Sequence, residues 1–248
     1  MADQAACSAR VCLTIGAVST IAAPPDAPVP TEESAQSLTR RISAQIEAKV
    51  LSRELEAGTK LNEHAMAGQL GISRGALREA IRTLESSGLV EVIPNRGAFV
   101  RRIGLEDALH LYDVRAGLAR TAGRLLAMRL PGAELQQLFA LHARLQAACE
   151  AERVELYHTL NLEFHERLAA CTGNPRLRRL DEGIAKELKL FMWRGVFTAA
   201  SARRSCFEHN ELLQAIRRGD AEGAASAFEA HILAGKQRML DSIAVAPR

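Results

Sequence analysis

Apolar residues recur at helical spacing through most of this chain, and the places where the rhythm breaks are as informative as the places where it holds. In "LTRRISAQIEAKVLSREL", Ile42, Ile46, Val50 and Leu51 fall on one side of a helix, which predicts a first amphipathic element ending before Gly58. Asn62 is placed to cap a second helix running to about Leu70, "LGIS" reads as a tight turn, and Ser73 caps a third helix that stops before Gly88. Leu77, Ala80, Ile81 and Leu84 form the inner stripe of that third helix. The rhythm then switches: "LVEVI" and "GAFVRRI" are short strand-like runs on either side of "PNR", with Gly97 opening the return strand.

From Leu105 onward the helical period returns and persists. Helices are expected over 105–130, 133–151, 155–171, 175–198, 202–218 and 221–241, broken at "PGAE", "TGNP", "TAAS" and "GDAE". No alternation of strands and helices suggests a parallel sheet. The fold class expected is mainly α: an N-terminal winged helix-turn-helix over 35–103, followed by an all-α helical bundle over 104–248. "RRIGLED" is too short for a free tether, so the two parts should touch.

Composition changes this picture little. Of 248 residues, 48% are apolar, 25% charged and only 4% aromatic, a balance that favours helices and allows a packed core. The net charge is a mild +3, but residues 35–103 hold eleven Arg and Lys against seven Glu, so the amino half is the basic half. Five scattered cysteines (Cys7, Cys12, Cys149, Cys171 and Cys206) show no ligand spacing and suit a reducing compartment, hence a cytoplasmic protein. "VCLTIGAVSTIAA" is a poor signal peptide and too short to span a bilayer, so residues 1–34 read as a disordered extension and no membrane partner is expected.

The third helix carries the first candidate chemistry. Arg74, Arg78 and Arg82 are spaced four apart, so they drift by about 40° per step and form a stripe opposite Leu77, Ile81 and Leu84. Such a stripe on an arbitrary helix is a solvated face. Here a short helix and tight turn precede it and a basic hairpin follows, which makes a unit whose N-terminal turn can enter a DNA major groove. Gly75 and Ala76 are small where backbone must come close. Arg74 and Arg78 can read guanine or clamp phosphates, Ser73 can donate to a phosphate, and Arg96 and Gly97 can reach an adjacent groove.

"GTKLNEHAMAGQLGISRGALREAIRTLESSGLVEVIPNRGAFV" resembles the DNA-binding domain of the GntR transcription regulators. That resemblance implies that Arg74 and Arg78 are the main readers and Gly97 the wing-tip glycine. Two departures stand out. His64 replaces a usual arginine on the second helix, and Gly75-Ala76 replaces the common Thr-Pro. A histidine adds little phosphate attraction above a pKa near 6.5.

Seven histidines occur, and taken singly each reads as a hydrogen-bonded helix residue. "NLEFHERL" sets Asn161 and His165 one turn apart, while His209 and His231 lie on two later helices that could bring them to the same point in a bundle. "YDVRAGLARTAGRLLA", "FHERLAACTGNPRL" and "EHNELLQAIRRGDAEGAASAFEAH" resemble the FCD effector domain of the FadR branch. The resemblance implies a divalent metal held by Asn161, His165, His209 and His231, zinc ahead of nickel or manganese, with open positions for a small carboxylate effector. It also implies a role for Arg115 in holding that carboxylate; otherwise Arg115 pairs with Asp113 or a glutamate. Asn161 stands where the metal-binding pattern often has Asp, which removes one negative charge and should weaken retention. His110, His142 and His158 have no matching slot.

The reading expected overall is a homodimeric, ligand-responsive regulator of operator DNA, a repressor rather than an enzyme. The alternatives are a metal-dependent hydrolase and a metal-free regulator of the same fold. Against the hydrolase, the chain has no HExxH, no phosphate-binding glycine loop and no nucleophile elbow.

Overall fold

The computed structural model describes residues 32–191 and 198–245, and among these it has nine helices and one two-stranded hairpin. The helices α1 (Glu32–Leu51), α2 (Glu63–Leu70) and α3 (Arg74–Ser86) precede strands β1 (Val90–Ile93) and β2 (Gly97–Val100). Six longer helices follow: α4 (Leu105–Arg129), α5 (Gly132–Glu150), α6 (Val154–Cys171), α7 (Pro175–Phe191), α8 (Ala199–Arg217) and α9 (Ala221–Val245). The mainly α winged helix-turn-helix plus bundle expected from the sequence is what the chain forms.

Local chemistry sets the boundaries. Asn62 Oδ1 accepts from the Ala65 amide to open α2, and Gly71 closes it at φ +63°, a left-handed conformation that costs glycine nothing. Ser73 Oγ accepts from the Ala76 amide to open α3. The hairpin pairs Val90 with Val100 and Ile93 with Gly97 in antiparallel register. Its outer edge is covered as well, because the Leu61 amide donates to Ala98 O and the Val100 amide to Thr59 O.

Three boundaries differ from expectation. Helix α1 begins at Glu32, inside the stretch read as an extension, and ends at Leu51, where Arg53 turns the chain at φ +65°. Helix α8 starts at Ala199 rather than 202, because Thr198 and Ser201 form a reciprocal capping box that converts the expected break into a helix start. Helix α9 runs on to Val245. The remainder of the extension, with Cys7 and Cys12, and the expected end of α7 beyond Phe191 lie outside the described residues.

Two apolar clusters form. The first gathers Ile42, Ile46 and Val50 of α1, the inner stripe of α3, and Leu89, Val90, Ala98 and Val100 of the hairpin. The second fills the bundle, with Leu126, Leu138, Leu145, Phe164, Leu168 and Leu212 fully buried. Helix α7 joins them: Leu190 packs on the first cluster, Lys186 Nζ meets Glu47 of α1 at 2.7 Å, and Glu187 receives Arg101 Nη1 at 2.6 Å. Gly88, at φ +75°, permits this docking, because a Cβ there would lie 2.6 Å from the Glu187 carboxyl carbon. Cys149 and Cys206 are buried thiols packed among the apolar side chains of the bundle.

The longest interface is α4 against α9, built from small residues: Ala116, Ala119, Ala122 and Gly123 on α4 with Ala224 and Ala225 on α9. A Cβ at Gly123 would lie 2.3 Å from the Ala224 carbonyl oxygen. Helix propensity alone favours Gly→Ala by about 1 kcal/mol, so the contact reverses the usual sign. Gly123→Ala is expected to lower stability by about 1–3 kcal/mol in urea unfolding followed by circular dichroism; a gain would show that the two backbones do not meet there.

Candidate nucleic-acid interface and candidate metal centre

Helix α3 shows its polar face to solvent, and α2 holds the groups on it. Arg74, Gly75 and Arg78 are exposed, whereas Leu77, Ala80 and Ile81 are buried. Arg74 Nη2 lies 2.8 Å from His64 Nδ1, and Arg78 Nε donates to Glu63 Oε2 at 2.8 Å, so two consecutive α2 side chains orient the two guanidinium groups. Arg82, third in the stripe, turns back to Glu79. A Cβ at Gly75 would meet only Ser73 Oγ at 3.8 Å, so the backbone there is open to close approach. Ala76, beside it, is half-buried and packs on the core of this unit.

At the hairpin tip Asn95 and Gly97 take φ +59° and +102°, which turns the chain tightly and leaves Arg96 exposed. The Arg96 guanidinium lies 5.8 Å from the Phe99 ring centroid and Lys60 Nζ 5.9 Å from it, so one aromatic ring gathers two cations. Lys60, Phe99 and Glu63 were not singled out in the sequence. The signal for Glu63 was its position one residue before His64, which needed the α2–α3 crossing to acquire meaning.

The bundle brings His165 of α6, His209 of α8 and His231 of α9 to one point. His231 Nε2 is 3.1 Å from His165 Nε2 and 3.2 Å from His209 Nε2, and the three ligand-capable nitrogens lie within 4.8 Å of one another. Burial pushes His165 and His209 well below the ordinary histidine value, and the neighbouring rings and the Arg238 charge push the same way, joined at His165 by the Arg115 charge. Burial also lowers His231, opposed by its contact with Glu208. The rings are therefore neutral at pH 7, which is the state that coordinates a metal. Nitrogens sharing one zinc ion at about 2.0–2.1 Å are separated by roughly 3.4 Å at a tetrahedral angle, close to the spacing seen. Among the described residues, the buried His165 Nδ1 and His209 Nδ1 have no hydrogen-bond partner.

Asn161 sits one turn before His165 on α6, half-buried, its Oδ1 accepting from the Tyr157 hydroxyl at 3.4 Å. Arg115 of α4 is held by Asp181 of α7, through Nε at 2.8 Å and Nη2 at 3.4 Å, with the two side chains 14% and 16% exposed. The partner is neither Asp113, which binds Lys236 instead at 2.6 Å, nor a glutamate. His142 is buried and lies 2.9 Å from Cys206 O, a structural role consistent with its lack of a ligand slot; His110 is exposed and His158 half-buried.

From the sequence, Glu208 and Arg238 had no role at this centre. Glu208 Oε2 accepts from His231 Nδ1 at 2.8 Å, and its Oε1 accepts from Arg238 Nη1 at 2.8 Å. Burial alone would raise the Glu208 carboxyl, but the hydrogen bonds from His231 and Arg238 outweigh it and hold the group below the usual carboxylate range. Only the adjacency of Glu208 to His209 hinted at this in the sequence, and adjacency on one helix points two side chains about 100° apart. The carboxylate serves a different helix, α9.

Comparison with known proteins identifies the two parts of the chain. Residues 38–100 match the model of the bacterial regulatory proteins, gntR family, and residues 110–234 match the FCD domain. The Nta operon transcriptional regulator of Aminobacter aminovorans is 28% identical over 78% of this chain and 88% of its own length. The HTH-type transcriptional repressor RspR of Escherichia coli is 20% identical over 82% and 90%. Among solved structures, E. coli McbR/YncC matches at TM-score 0.62, 24% identical over 84% of this chain and 96% of that one. A GntR transcriptional regulator from Rhodococcus sp. RHA1 also matches at TM-score 0.62, 23% identical over 86% and 100%. These relatives are transcription regulators rather than enzymes, which sets the hydrolase reading aside.

The buried neutral imidazoles make stability depend on pH with a definite sign. Unfolded histidines titrate near pH 6.5 and the folded ones lower, so the unfolded chain takes up more protons as pH falls. Stability is fully present above about pH 6.5 and declines below it. In metal-free protein the melting temperature should drop from about pH 7.5 to about pH 5.5, and the drop should be smaller in His209→Gln; equal drops would show that the ring is not held neutral by burial.

Proposed function

This chain belongs to the GntR family of bacterial regulatory proteins and carries an FCD domain; from that premise we propose that it is a homodimeric repressor in which residues 35–103 read an operator and residues 104–248 sense a small carboxylate at a metal centre. The observation that carries the sensing half is the convergence of the His165, His209 and His231 Nε2 atoms inside the bundle.

For the operator, Arg74 and Arg78 are the readers, presented at the N-terminal turn of α3 by His64 and Glu63. Gly75 allows close backbone approach. Ser73 uses its oxygen to cap α3 and can still give its hydroxyl hydrogen to a phosphate, while Arg96 and Gly97 place the wing against a neighbouring groove or backbone. His64 has a double use in this reading: it contributes less charge than an arginine but fixes the Arg74 guanidinium. One head buries too little DNA for tight specific binding, so pairing on a two-fold site supplies both affinity and spacing. No described helix is long and apolar enough to cross a membrane.

The residues present suit a divalent ion. Three imidazole nitrogens favour zinc, with nickel and manganese as alternatives, and Asn161, one turn before His165, would add a neutral donor by exchanging its Tyr157 hydroxyl contact for the ion. A bound ion would act as a Lewis acid for the carboxylate of the effector. The protein's own part is orientation. Asp181 takes the Nε edge of Arg115, leaving its other N–H groups to meet an anion, and the Arg238–Glu208 pair supports His231. All four proposed metal donors are neutral, so the ion's charge has to be met by the effector; metal and acid should each strengthen the binding of the other.

A path to the DNA head is available through α7, whose Asp181 holds Arg115 while its Lys186 and Glu187 hold α1 and Arg101. An effector that changes the setting of Arg115 acts directly on the helix that docks the head.

The operator reading is tested with labelled duplex from upstream of the protein's own coding region. Wild type should bind with a steep salt dependence, and Arg74→Ala with Arg78→Ala should each cost about 1–3 kcal/mol and flatten the salt slope. Binding unchanged by the double substitution would refute the role given to α3. For the sensing half, a thermal-shift screen of small carboxylates should find acids that raise the melting temperature more with added zinc than without it. A shift indifferent to zinc would favour the metal-free form of the regulator.

A further inference from the structure

The three histidines do not have equal support. His231 Nδ1 faces a carboxylate at 2.8 Å, whereas the buried His165 Nδ1 and His209 Nδ1 have no partner among the described residues. An ionised carboxylate only accepts hydrogen bonds, so the neutral His231 ring must carry its proton on Nδ1 and turn the lone pair of Nε2 towards the centre. Glu208 is itself fixed. Its other oxygen accepts from Arg238 at 2.8 Å, with the Arg204 guanidinium 3.8 Å from that same oxygen. The Glu208 and Arg238 side chains are 16% and 18% exposed, so the pair is largely shielded from competing water.

His165 and His209 are in the opposite situation. Each has Nε2 within 3.1–3.2 Å of the His231 lone pair, so in the metal-free protein either ring makes that contact a hydrogen bond only by carrying its proton on Nε2. A ring in that form cannot coordinate through Nε2. Coordination requires the proton to move to Nδ1, where among the described residues no acceptor waits for it.

We propose that Glu208, anchored by Arg238, is the positioning residue of the metal centre: among the described residues it alone sets a ligand, His231, in the metal-ready tautomer before any ion arrives, and it leaves His165 and His209 to be set by the ion itself. This rests on the metal-centre reading above and adds to it the order in which the ligands are prepared. Partners of this kind typically change metal affinity by about 10–100-fold. With one of three rings supported, and no anionic ligand among the donors, the site holds an exchangeable ion whose retention depends on Glu208.

The test uses the full-length protein and zinc alone as the probe. In metal-free wild type, nitrogen-15 spectra of the histidine rings should show His231 protonated at Nδ1. Glu208→Ala should lose that signature and bind zinc about 10–100-fold more weakly in a chelator-competition titration. Glu208→Gln should keep the tautomer, since its amide oxygen still accepts, and keep most of the affinity. That rescue separates positioning from a structural role. A wild-type spectrum with the His231 proton on Nε2 would overturn the proposal, whether or not the alanine variant folds. So would an alanine variant that keeps both the tautomer and zinc affinity within threefold of wild type. Should wild type take up no zinc, the metal-centre reading fails and the retention half of this proposal fails with it, while the tautomer measurement still decides whether Glu208 orients His231.

Discussion

The close packing of α9 along α4 is the constraint on which the rest of the bundle depends. Gly123 and its neighbouring alanines let the two helices meet backbone to backbone, with a Cβ at Gly123 only 2.3 Å from the Ala224 carbonyl oxygen. That contact sets where α9 lies along its whole length. Two turns beyond it α9 presents His231, and two turns further Arg238; on α4 the same interface sets Arg115 and the buried Tyr112 beside them. A larger residue in the seam would separate the helices and carry His231 away from His165 and His209, which come from α6 and α8. The small residues of the seam are therefore as much part of the site as the imidazoles, although none of them touches it.

Within the site the charges are arranged in closed pairs. Arg115 is matched by Asp181 and Arg238 by Glu208, and the three imidazoles are kept neutral by burial. Buried charges of one sign without partners would be costly, and the bundle avoids that cost before any ligand is present. A divalent ion would be the one charge in the centre that protein atoms do not balance. An anion would be the natural companion of such an ion.

The other end of the molecule follows a similar logic. The guanidinium groups of α3 are oriented by α2, and the wing arginine shares an aromatic ring with Lys60, so these cations are held in place but remain at the surface. Helix α7 lies between the two ends. It contributes Ile184 and Leu188 to the bundle core, Leu190 to the core of the head, Asp181 to Arg115, and Lys186 and Glu187 to the head's surface. A helix that is a structural member of both parts can transmit a change in one of them as a change of position in the other, because a packed helix shifts as a unit.

Much of this was readable along the chain. The helix pattern, the Asn62 and Ser73 caps, the hairpin and the exposed stripe of Arg74 and Arg78 are local properties, written in residues a few positions apart, and they appeared where periodicity and turn chemistry put them. Family resemblance added His165, His209 and His231 as candidates. The start of α8 was misplaced because "TAAS" looks like a break until the Thr198 and Ser201 side chains close their reciprocal bonds. The partners that give the site its character could not be found from sequence: Asp181 lies 66 residues from Arg115, Glu208 lies 23 from His231, and Glu187 lies 86 from Arg101. Sequence alone determined which elements form and which side chains carry charge or lone pairs, since those depend on neighbours one or two turns away. Tertiary structure alone decided which charge meets which, and which nitrogen of each imidazole has a partner, because those depend on how far apart whole helices pack.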